Sequence, residues 1–262
     1  MRQSCDIITN MIKNVMYEET YIQFEDYLLD VLNRNFIEFA DENQVKNVFS
    51  DYLVQFYNNN SFSNVEKIRY YTGIAYKYVN SILRNTWDYD SNGLLTEEKE
   101  KNYKSLSNDI SYIIRNNNPI NYDFKVYRGV NISSFSEYGI HSLEELVNMK
   151  NQYYLENAFT STSLIRKESF FDRDLEWHDS CNIEIEYMIP CESNDGMPLI
   201  DDNLSYSKKQ NEFLINKGSV SKIVDVRINS EKTKAYVKAI LVPQKILDQY
   251  MQNNINVDYR KK

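Results

Sequence analysis

The apolar positions in the first 120 residues repeat at helical spacing. One stripe has apolar side chains every few residues, at Tyr27, Leu28, Val31, Leu32, Phe36 and Phe39. A second helix is predicted over residues 65–85, with Ser63 and Glu66 as a capping box at its start. A third helix is predicted over residues 96–115, which Thr96 would cap and an Asn-Asn-Asn-Pro run would end.

From residue 123 onward the period changes to two, which is typical of strands with one buried face. In the clearest case Ile183, Ile185 and Tyr187 alternate with glutamates. The candidate strands are 124–130, 158–163, 182–189, 212–216, 222–228 and 235–242. Helices followed by strands predict an α+β fold, with N-terminal helices packed on a mixed or antiparallel β core, rather than an alternating βαβ fold.

Glycine placement and net charge argue against two common classes of function. The 262-residue chain has six glycines that never lie close together, so it holds neither a GxGxxG fingerprint nor a P-loop. Rossmann-type dinucleotide binding is therefore not expected. A net charge of −8 argues against a nucleic-acid or anionic-membrane surface.

Cysteine and histidine are too few and too scattered for a zinc site. Cys5, Cys181 and Cys191 show no CxxC spacing and there are two histidines, so we expect no metal. The sequence has no run of about 18 apolar residues, so it predicts no membrane-spanning helix. The acidic, interrupted first 30 residues do not read as a signal peptide, so a cytosolic, processed or otherwise delivered protein is expected.

Three short segments in the strand half carry side chains suited to chemistry. They are Val-Tyr-Arg-Gly at 126–129, Phe-Thr-Ser-Thr-Ser at 159–163 and Gln-Asn-Glu-Phe-Leu-Ile at 210–215. In the last segment Gln210 and Glu212 share one face of a strand, because side chains two residues apart point the same way. Taken singly, each segment is equally typical of an ordinary strand.

The order and spacing of the three segments resemble those of the mono-ADP-ribosyltransferase exoenzymes, bacterial toxins that modify Rho GTPases or actin. That family carries an arginine, then Ser-Thr-Ser, then Gln-x-Glu or Glu-x-Glu. The Tyr-Tyr-Thr-Gly segment at 70–73 and the Lys-Gly-Ser segment at 217–219 extend the resemblance, which covers residues 62–242. It implies a two-sheet β core of ADP-ribosyltransferase type.

The resemblance also divides the chain into three parts. We expect an N-terminal helical segment over residues 1–60, a catalytic core over 61–245 and a polar tail over 246–262.

The resemblance implies that NAD is the co-substrate and Glu212 the main catalytic residue. Loss of nicotinamide builds positive charge on the ribose, and a nearby carboxylate stabilises that charge. Ser161 would orient Glu212 through a hydrogen bond. Gln210 would complete the catalytic set. No metal is implied, because nicotinamide leaves as a neutral molecule.

The residues implied to bind NAD lie on a helix, two strands and a loop. They are Tyr76, Asn80, Arg84, Arg128, Gly129, Thr162, Arg166, Phe170, Phe171 and Arg173. The arginines would pair with phosphates, and Gly129 would let the backbone approach the nicotinamide carboxamide. A loop phenylalanine would stack on the nicotinamide. For Tyr76 and for either phenylalanine, ordinary packing is an equally good interpretation.

The turn that contains Tyr206, Ser207 and Gln210 is implied to recognise the target protein. Members that modify arginine usually carry Glu at the position of Gln210, whereas Gln resembles the Rho-modifying branch, which targets Asn or Gln. A Gln amide presents both a donor and an acceptor to a side-chain amide. The turn departs from the family at Ser207, where an aromatic residue is common.

We therefore expect a monomeric toxin or effector that transfers ADP-ribose to Asn or Gln of a target protein, such as a Rho-type GTPase, or to actin. It would be secreted or injected and act in a host cytosol, with a cytosolic location as the alternative. An NAD glycohydrolase and a non-catalytic binding module with the same fold are the other two interpretations.

Overall fold

A computed structural model describes the chain at residues 5–86, 96–169, 181–206 and 211–258. Its helices are α1 (Cys5–Val15), α2 (Glu18–Leu32), α3 (Glu42–Asn59), α4 (Phe62–Tyr70), α5 (Tyr76–Leu83), α6 (Glu97–Arg115), α7 (Leu143–Leu146) and α8 (Gln244–Asp258). Its strands are β1 (Phe124–Val130), β2 (Tyr153–Glu156), β3 (Thr160–Ser163), β4 (Ile183–Ile189), β5 (Gly196–Leu199), β6 (Glu212–Ile215), β7 (Ser219–Ile228) and β8 (Ala235–Val242).

Side-chain caps set where α4 and α6 begin. The hydroxyl of Thr96 accepts a hydrogen bond from the third backbone amide of α6 at 3.3 Å, which confirms the predicted cap. Ser61 caps α4 in the same way, also at 3.3 Å. The predicted capping box of Ser63 and Glu66 is wrong, because both residues already lie inside α4.

Two predicted helices differ in extent from the structure. Residues 65–85 form α4, a π-helical turn at Tyr71–Ala75 and α5 in succession, instead of one α-helix. The apolar stripe that reaches Phe39 is helical only as far as Leu32. Beyond α2 the chain is extended, and Ile37 forms a parallel bridge with the first residue of β1.

The strands form one hydrogen-bonded sheet in the order β2-β7-β8-β4-β1-β3-β6-β5. β4 and β8 run parallel, and all other neighbours run antiparallel. β1 and β3 pair at a single position, Tyr127 with Ser163. This bridge joins a five-stranded part to a three-stranded part. The α+β class is confirmed, and the two predicted sheets correspond to these two parts.

The two strands that the periodicity did not predict are the two edges of the sheet. β2 and β5 have four residues each, too short to show an alternating pattern. β5 also contains Gly196 and Pro198, which disfavour a strand in general. Proline fits at an edge because no further strand requires its missing amide proton.

A chain of aromatic rings packs the helices against both parts of the sheet. Phe124 of β1 lies 5.3 Å from the Phe49 ring of α3 and 5.2 Å from the Phe213 ring of β6, with both pairs edge to face. Phe39 packs against Phe49 at 5.5 Å. All four side chains are at most 2% exposed. Phe124 therefore contacts the helices through Phe49 and the three-stranded part of the sheet through Phe213.

The ends of the chain pack against each other and on the sheet. Most of the predicted polar tail forms α8, whose Tyr250 ring lies 5.4 Å from the Phe24 ring of α2. Glu25 of α2 accepts a hydrogen bond from the Tyr153 hydroxyl at 2.6 Å and pairs with Lys222 of β7. None of the described helices combines the length and apolar character needed to cross a bilayer.

Phe124→Ala should lower the free energy of unfolding by about 3–5 kcal/mol, because it leaves a cavity between α3, β1 and β6. Phe62→Ala is the matched control, since Phe62 is 80% exposed and its loss should change stability by less than about 0.5 kcal/mol. Urea unfolding measures both. Equal effects would show that the aromatic chain does not hold the layers together.

Candidate active site

Strands β3 and β6 place a serine beside a half-buried glutamate. The strands pair with Ser163 opposite Glu212 and Ser161 opposite Leu214. The Ser161 hydroxyl hydrogen-bonds the Glu212 carboxylate. The Ser163 hydroxyl is engaged elsewhere, since it donates to the Ile165 carbonyl at 2.8 Å and accepts from the Ile165 amide at 3.3 Å. Of the two serines on this face of β3, Ser161 is therefore the one whose hydroxyl is available to the carboxylate.

Thr162 lies on the opposite face of β3. Its side chain is buried, and its hydroxyl donates a hydrogen bond to the Phe213 carbonyl of β6 at 2.6 Å. This contact joins β3 to β6 on the side away from Glu212. The cofactor contact predicted for Thr162 does not fit this position, because consecutive side chains of a strand point to opposite faces.

Burial raises the pKa of the Glu212 carboxyl above its ordinary value of 4.5. The hydrogen bond from Ser161 and the charge of Arg128 lower the pKa and offset part of this rise. The carboxylate is thus held in a poorly hydrated place, where its interaction with a nearby positive charge is stronger than in water.

A cavity of about 330 Å³ contains two of the predicted arginines. Arg84, at the end of α5, and Arg128, in β1, both line it. The pKa of Arg84 is lowered, mainly by burial and then by the positive charge of Arg128. The two guanidinium groups therefore lie close enough to repel each other.

These two arginines differ from the other arginines that the structure describes. Arg34, Arg69, Arg115, Arg166 and Arg227 each have a carboxylate oxygen within 4 Å. Neither Arg84 nor Arg128 forms such a pair with a described residue. Two neighbouring cations that line one cavity without such a pair are suited to bind an anion with more than one charge.

The helix beside the cavity holds Asn80 through a tyrosine. The Asn80 amide donates to the Tyr71 hydroxyl at 3.2 Å. Tyr71 belongs to the π-helical turn and packs edge to face on Phe159, with ring centroids 5.1 Å apart. π-helical turns inside helices are frequent at functional sites. Tyr76 is 41% exposed and does not line the cavity, so the structure favours neither of its two interpretations.

The same π-helical turn also contacts Tyr206, the first residue of the predicted target-recognition turn. The backbone amide of Tyr206 donates to the Thr72 hydroxyl at 3.1 Å. The Tyr206 ring lies where a side chain on Gly73 would stand, since a Cβ there would meet ring carbons at 2.9–3.0 Å. Ser207 and Gln210 lie outside the described residues.

Arg166 does not reach the cavity. Its guanidinium binds the buried Glu184 carboxylate through Nε and Nη2 and lies over the Tyr127 ring at 5.6 Å. Glu184 pairs with Gly129, so its side chain is on the opposite face of the sheet from that of Arg128. The phosphate contact predicted for Arg166 therefore does not fit its position. Phe170, Phe171 and Arg173 lie outside the described residues.

Glu156 also lines the cavity and was not predicted from the sequence. It ends β2, the edge strand whose pattern gave no signal. Its carboxylate accepts hydrogen bonds from Thr160 at 2.6 Å and from Tyr187 at 2.7 Å. The cavity thus contains an oriented carboxylate as well as two arginines.

A group of metal-ligating side chains lies elsewhere in the described chain. Asp123, Cys191 and Glu192 bring one ligand atom each within 4.8 Å of one another. The Arg34 guanidinium lies 2.8 Å from Glu192 and 3.5 Å from Asp123. Arg34 therefore already pairs with both carboxylates, which offsets part of the negative charge that would attract a metal ion.

Glu212→Gln should raise Tm at pH 7 by roughly 2–4 °C. A carboxyl whose pKa is raised by folding loses stability as pH rises from its ordinary pKa to its folded pKa, and the full cost persists above that window. The difference between variant and wild type should therefore shrink as pH falls through the window.

Thermal unfolding as a function of pH measures this effect. Glu98→Gln, at an exposed glutamate in α6, is the control and should change Tm little at any pH. A Glu212→Gln variant that is no more stable than wild type at pH 7 would show that the ionised carboxylate is well accommodated.

Comparison with solved structures finds several with a similar fold. C3stau2 from S. aureus, solved with NAD, is 17% identical to the chain and superimposes with a TM-score of 0.60, covering 80% of this chain and all of its own. The C3 exoenzyme of Clostridium limosum is 16% identical, with a TM-score of 0.58, and the match covers 80% of this chain and 98% of that one. The C2-I component of the Clostridium botulinum C2 toxin is 17% identical, with a TM-score of 0.58, over 80% of this chain and 50% of that one.

A family model supports the same assignment from the sequence. No curated protein sequence matches the chain. The model of the ADP-ribosyltransferase exoenzymes matches residues 42–244, which include the arginine, the Ser-Thr-Ser segment and Glu212. The chain therefore belongs to the ADP-ribosyltransferase exoenzyme family and is an NAD-dependent ADP-ribosyltransferase.

Proposed function

We propose that this enzyme transfers ADP-ribose from NAD to an asparagine or glutamine side chain of a target protein. The observation that supports this most is the Glu212–Ser161 pair within electrostatic reach of Arg128, which shares a cavity with Arg84; neither arginine has a carboxylate oxygen within 4 Å in the described chain. Cleavage of a dinucleotide at its ribose calls for an anion-binding site and a nearby carboxylate, which the arginines and Glu212 would supply.

Arg84 and Arg128 would bind the diphosphate of NAD. Their two positive charges match the two negative charges of that group, and guanidinium groups bind phosphate oxygens in pairs. Asn80, held by Tyr71, would add a polar contact from the same helix as Arg84. By family resemblance, Gly129 would contact the nicotinamide, Phe170 or Phe171 would stack on it, and Arg173 would reach a phosphate.

Glu212 would stabilise the positive charge that develops on the ribose. The bond from ribose C1′ to the nicotinamide nitrogen breaks, and nicotinamide leaves with the electron pair. The acceptor nitrogen attacks C1′ and loses a proton, so that ADP-ribose gains a new glycosidic bond. The hydrogen bond from Ser161 holds the carboxylate in place, which reduces reorganisation during the reaction.

Gln210 would present the acceptor amide. It stands two residues before Glu212, and a Gln side chain offers one donor group and one acceptor group to another amide. Tyr206, anchored on Gly73, brings the start of the same connection close to the helix that carries Arg84. This supports a target protein that docks beside NAD.

The proposed target is a Rho-type GTPase, with actin as the second candidate. The Gln-x-Glu segment resembles the Rho-modifying branch, and C3 exoenzymes are among the similar structures. Membership of an exoenzyme family supports action in a host cytosol after secretion or injection.

Glu212→Gln should lower ADP-ribosyl transfer by roughly 10²- to 10⁴-fold, the usual effect of removing a positioned catalytic group. Its affinity for NAD should change little, because the arginines remain. The assay incubates labelled NAD with a host-cell lysate and identifies the modified residue by mass spectrometry.

The control is Glu98→Gln, which should label the same protein at the wild-type rate. Full activity in Glu212→Gln would overturn the catalytic assignment. Nicotinamide release without labelled protein from the wild type would identify a glycohydrolase, and no release at all would identify a binding module.

Gln210→Ala should reduce protein labelling by about tenfold or more while nicotinamide release into water continues, because only the contact with the acceptor is lost. Asn203→Ala, at an exposed amide earlier in the same connection, is the matched control and should leave both rates unchanged. If labelling and release fall together in Gln210→Ala, Gln210 acts on NAD and not on the acceptor.

A further inference from the structure

The Glu156 carboxylate is held at the cavity by two buried hydroxyl groups. Thr160 donates to one carboxylate oxygen at 2.6 Å, and Tyr187 donates to the other at 2.7 Å. Both donors are at most 1% exposed. Each hydroxyl has one proton to donate, and an ionised carboxylate accepts both. Each oxygen keeps a further lone pair for a ligand.

The charge of Glu156 acts in the same cavity as the two arginines. The negative charge of Glu156 raises the pKa of Arg84, against the effects of burial and of Arg128. Glu156, Arg84 and Arg128 all line the cavity. A ligand whose diphosphate binds the arginines would therefore place its adjoining sugars near a fixed negative charge.

A carboxylate next to a diphosphate site distinguishes between two nucleotides. A ribose with free 2′- and 3′-hydroxyls can donate hydrogen bonds to the carboxylate, as acidic residues do in other dinucleotide sites. A 2′-phosphate would bring negative charge against a carboxylate that its two hydroxyl donors hold in place. Placing like charges together strongly disfavours such a ligand.

We propose that Glu156 accepts hydrogen bonds from ribose hydroxyls of NAD and excludes NADP, which makes it a specificity-determining residue of this enzyme. The proposal rests on the proposed binding of the NAD diphosphate at Arg84 and Arg128. It adds a residue that lies outside the Arg, Ser-Thr-Ser and Gln-x-Glu segments.

Glu137 is a second carboxylate on the cavity and serves as the matched control. It lies in the short 3₁₀ segment Ile132–Tyr138, is exposed, and accepts a hydrogen bond from Asn157 at 3.1 Å. Water and salt screen an exposed charge far more than a partly buried one. Glu137 should therefore contribute little to the choice between nucleotides.

A purely structural role for Glu156 makes a different prediction. Through Thr160 and Tyr187 the carboxylate connects β2 to β3 and β4. If this were its only function, any substitution would affect NAD and NADP equally. A change in the ratio of the two nucleotides is therefore the informative measurement.

The experiment measures kcat/KM for nicotinamide release from NAD and from NADP, together with the Kd of each nucleotide by calorimetry. Wild type should prefer NAD by about 100-fold or more. Glu156→Gln keeps the shape and removes the charge, so the preference should fall by about tenfold or more. Glu156→Asp keeps the charge and should stay within about threefold of wild type, as should Glu137→Gln.

Each outcome decides the proposal. An unchanged preference in Glu156→Gln, with normal use of NAD, would overturn this inference and leave the proposed function standing. An equal fall in the use of NAD and NADP in both Glu156→Gln and Glu156→Asp would assign a structural role and overturn this inference. A wild-type protein that binds neither nucleotide would overturn the proposed function along with this inference.

Discussion

The bridge between β1 and β3 determines where the functional side chains lie. Tyr127 pairs with Ser163, and no other pair joins the two parts of the sheet within the described chain. Arg128 follows Tyr127, Ser161 lies two residues before Ser163, and Glu212 is paired with Ser163. A one-residue slip at this bridge would reverse the faces on which Ser161 and Glu212 lie relative to the side chains of β1. The aromatic rings around Phe124 stabilise this register, because they pack on both parts of the sheet.

The pairing of charged side chains leaves positive charge without a close partner at the candidate active site. The chain carries a net charge of −8, and the other described arginines are neutralised by nearby carboxylates. Arg84 and Arg128 are left without such a partner, while desolvation raises the pKa of the half-buried Glu212 carboxyl. The fold therefore retains interactions at this site that lower the stability of the protein, as functional sites commonly do.

The sequence predicts those parts of the fold in which local pattern and tertiary structure agree. β1 and β8 have the predicted bounds, because long alternating strands show their buried face in the sequence. The edge strands β2 and β5 are four residues long, and their pairing depends on partners distant in the chain. Phe36 and Phe39 continue the helical spacing, yet a bridge from Ile37 to β1 overrides the local preference.

For the candidate site too, the sequence predicts some residues and misses others. Ser161 and Glu212 could be identified from the motif, and the structure brings them into contact. Arg166 fits the motif equally well, but the buried Glu184 binds it on the other face of the sheet. Glu156 belongs to no motif, because its importance comes from Thr160 and Tyr187, which the fold brings to it. Which charged side chains pair with each other depends on the tertiary structure and cannot be read from their spacing in the sequence.

The packing of Tyr206 on Gly73 has a thermodynamic consequence. The turn that would meet the target protein and the helix that would meet NAD share contacts through Thr72 and Gly73. A ligand that stabilises the packed arrangement on one side then increases affinity on the other, and the two effects must be equal in free energy. The absence of a side chain at Gly73 thus couples the positions of the two proposed surfaces, because a Cβ there would displace the Tyr206 ring.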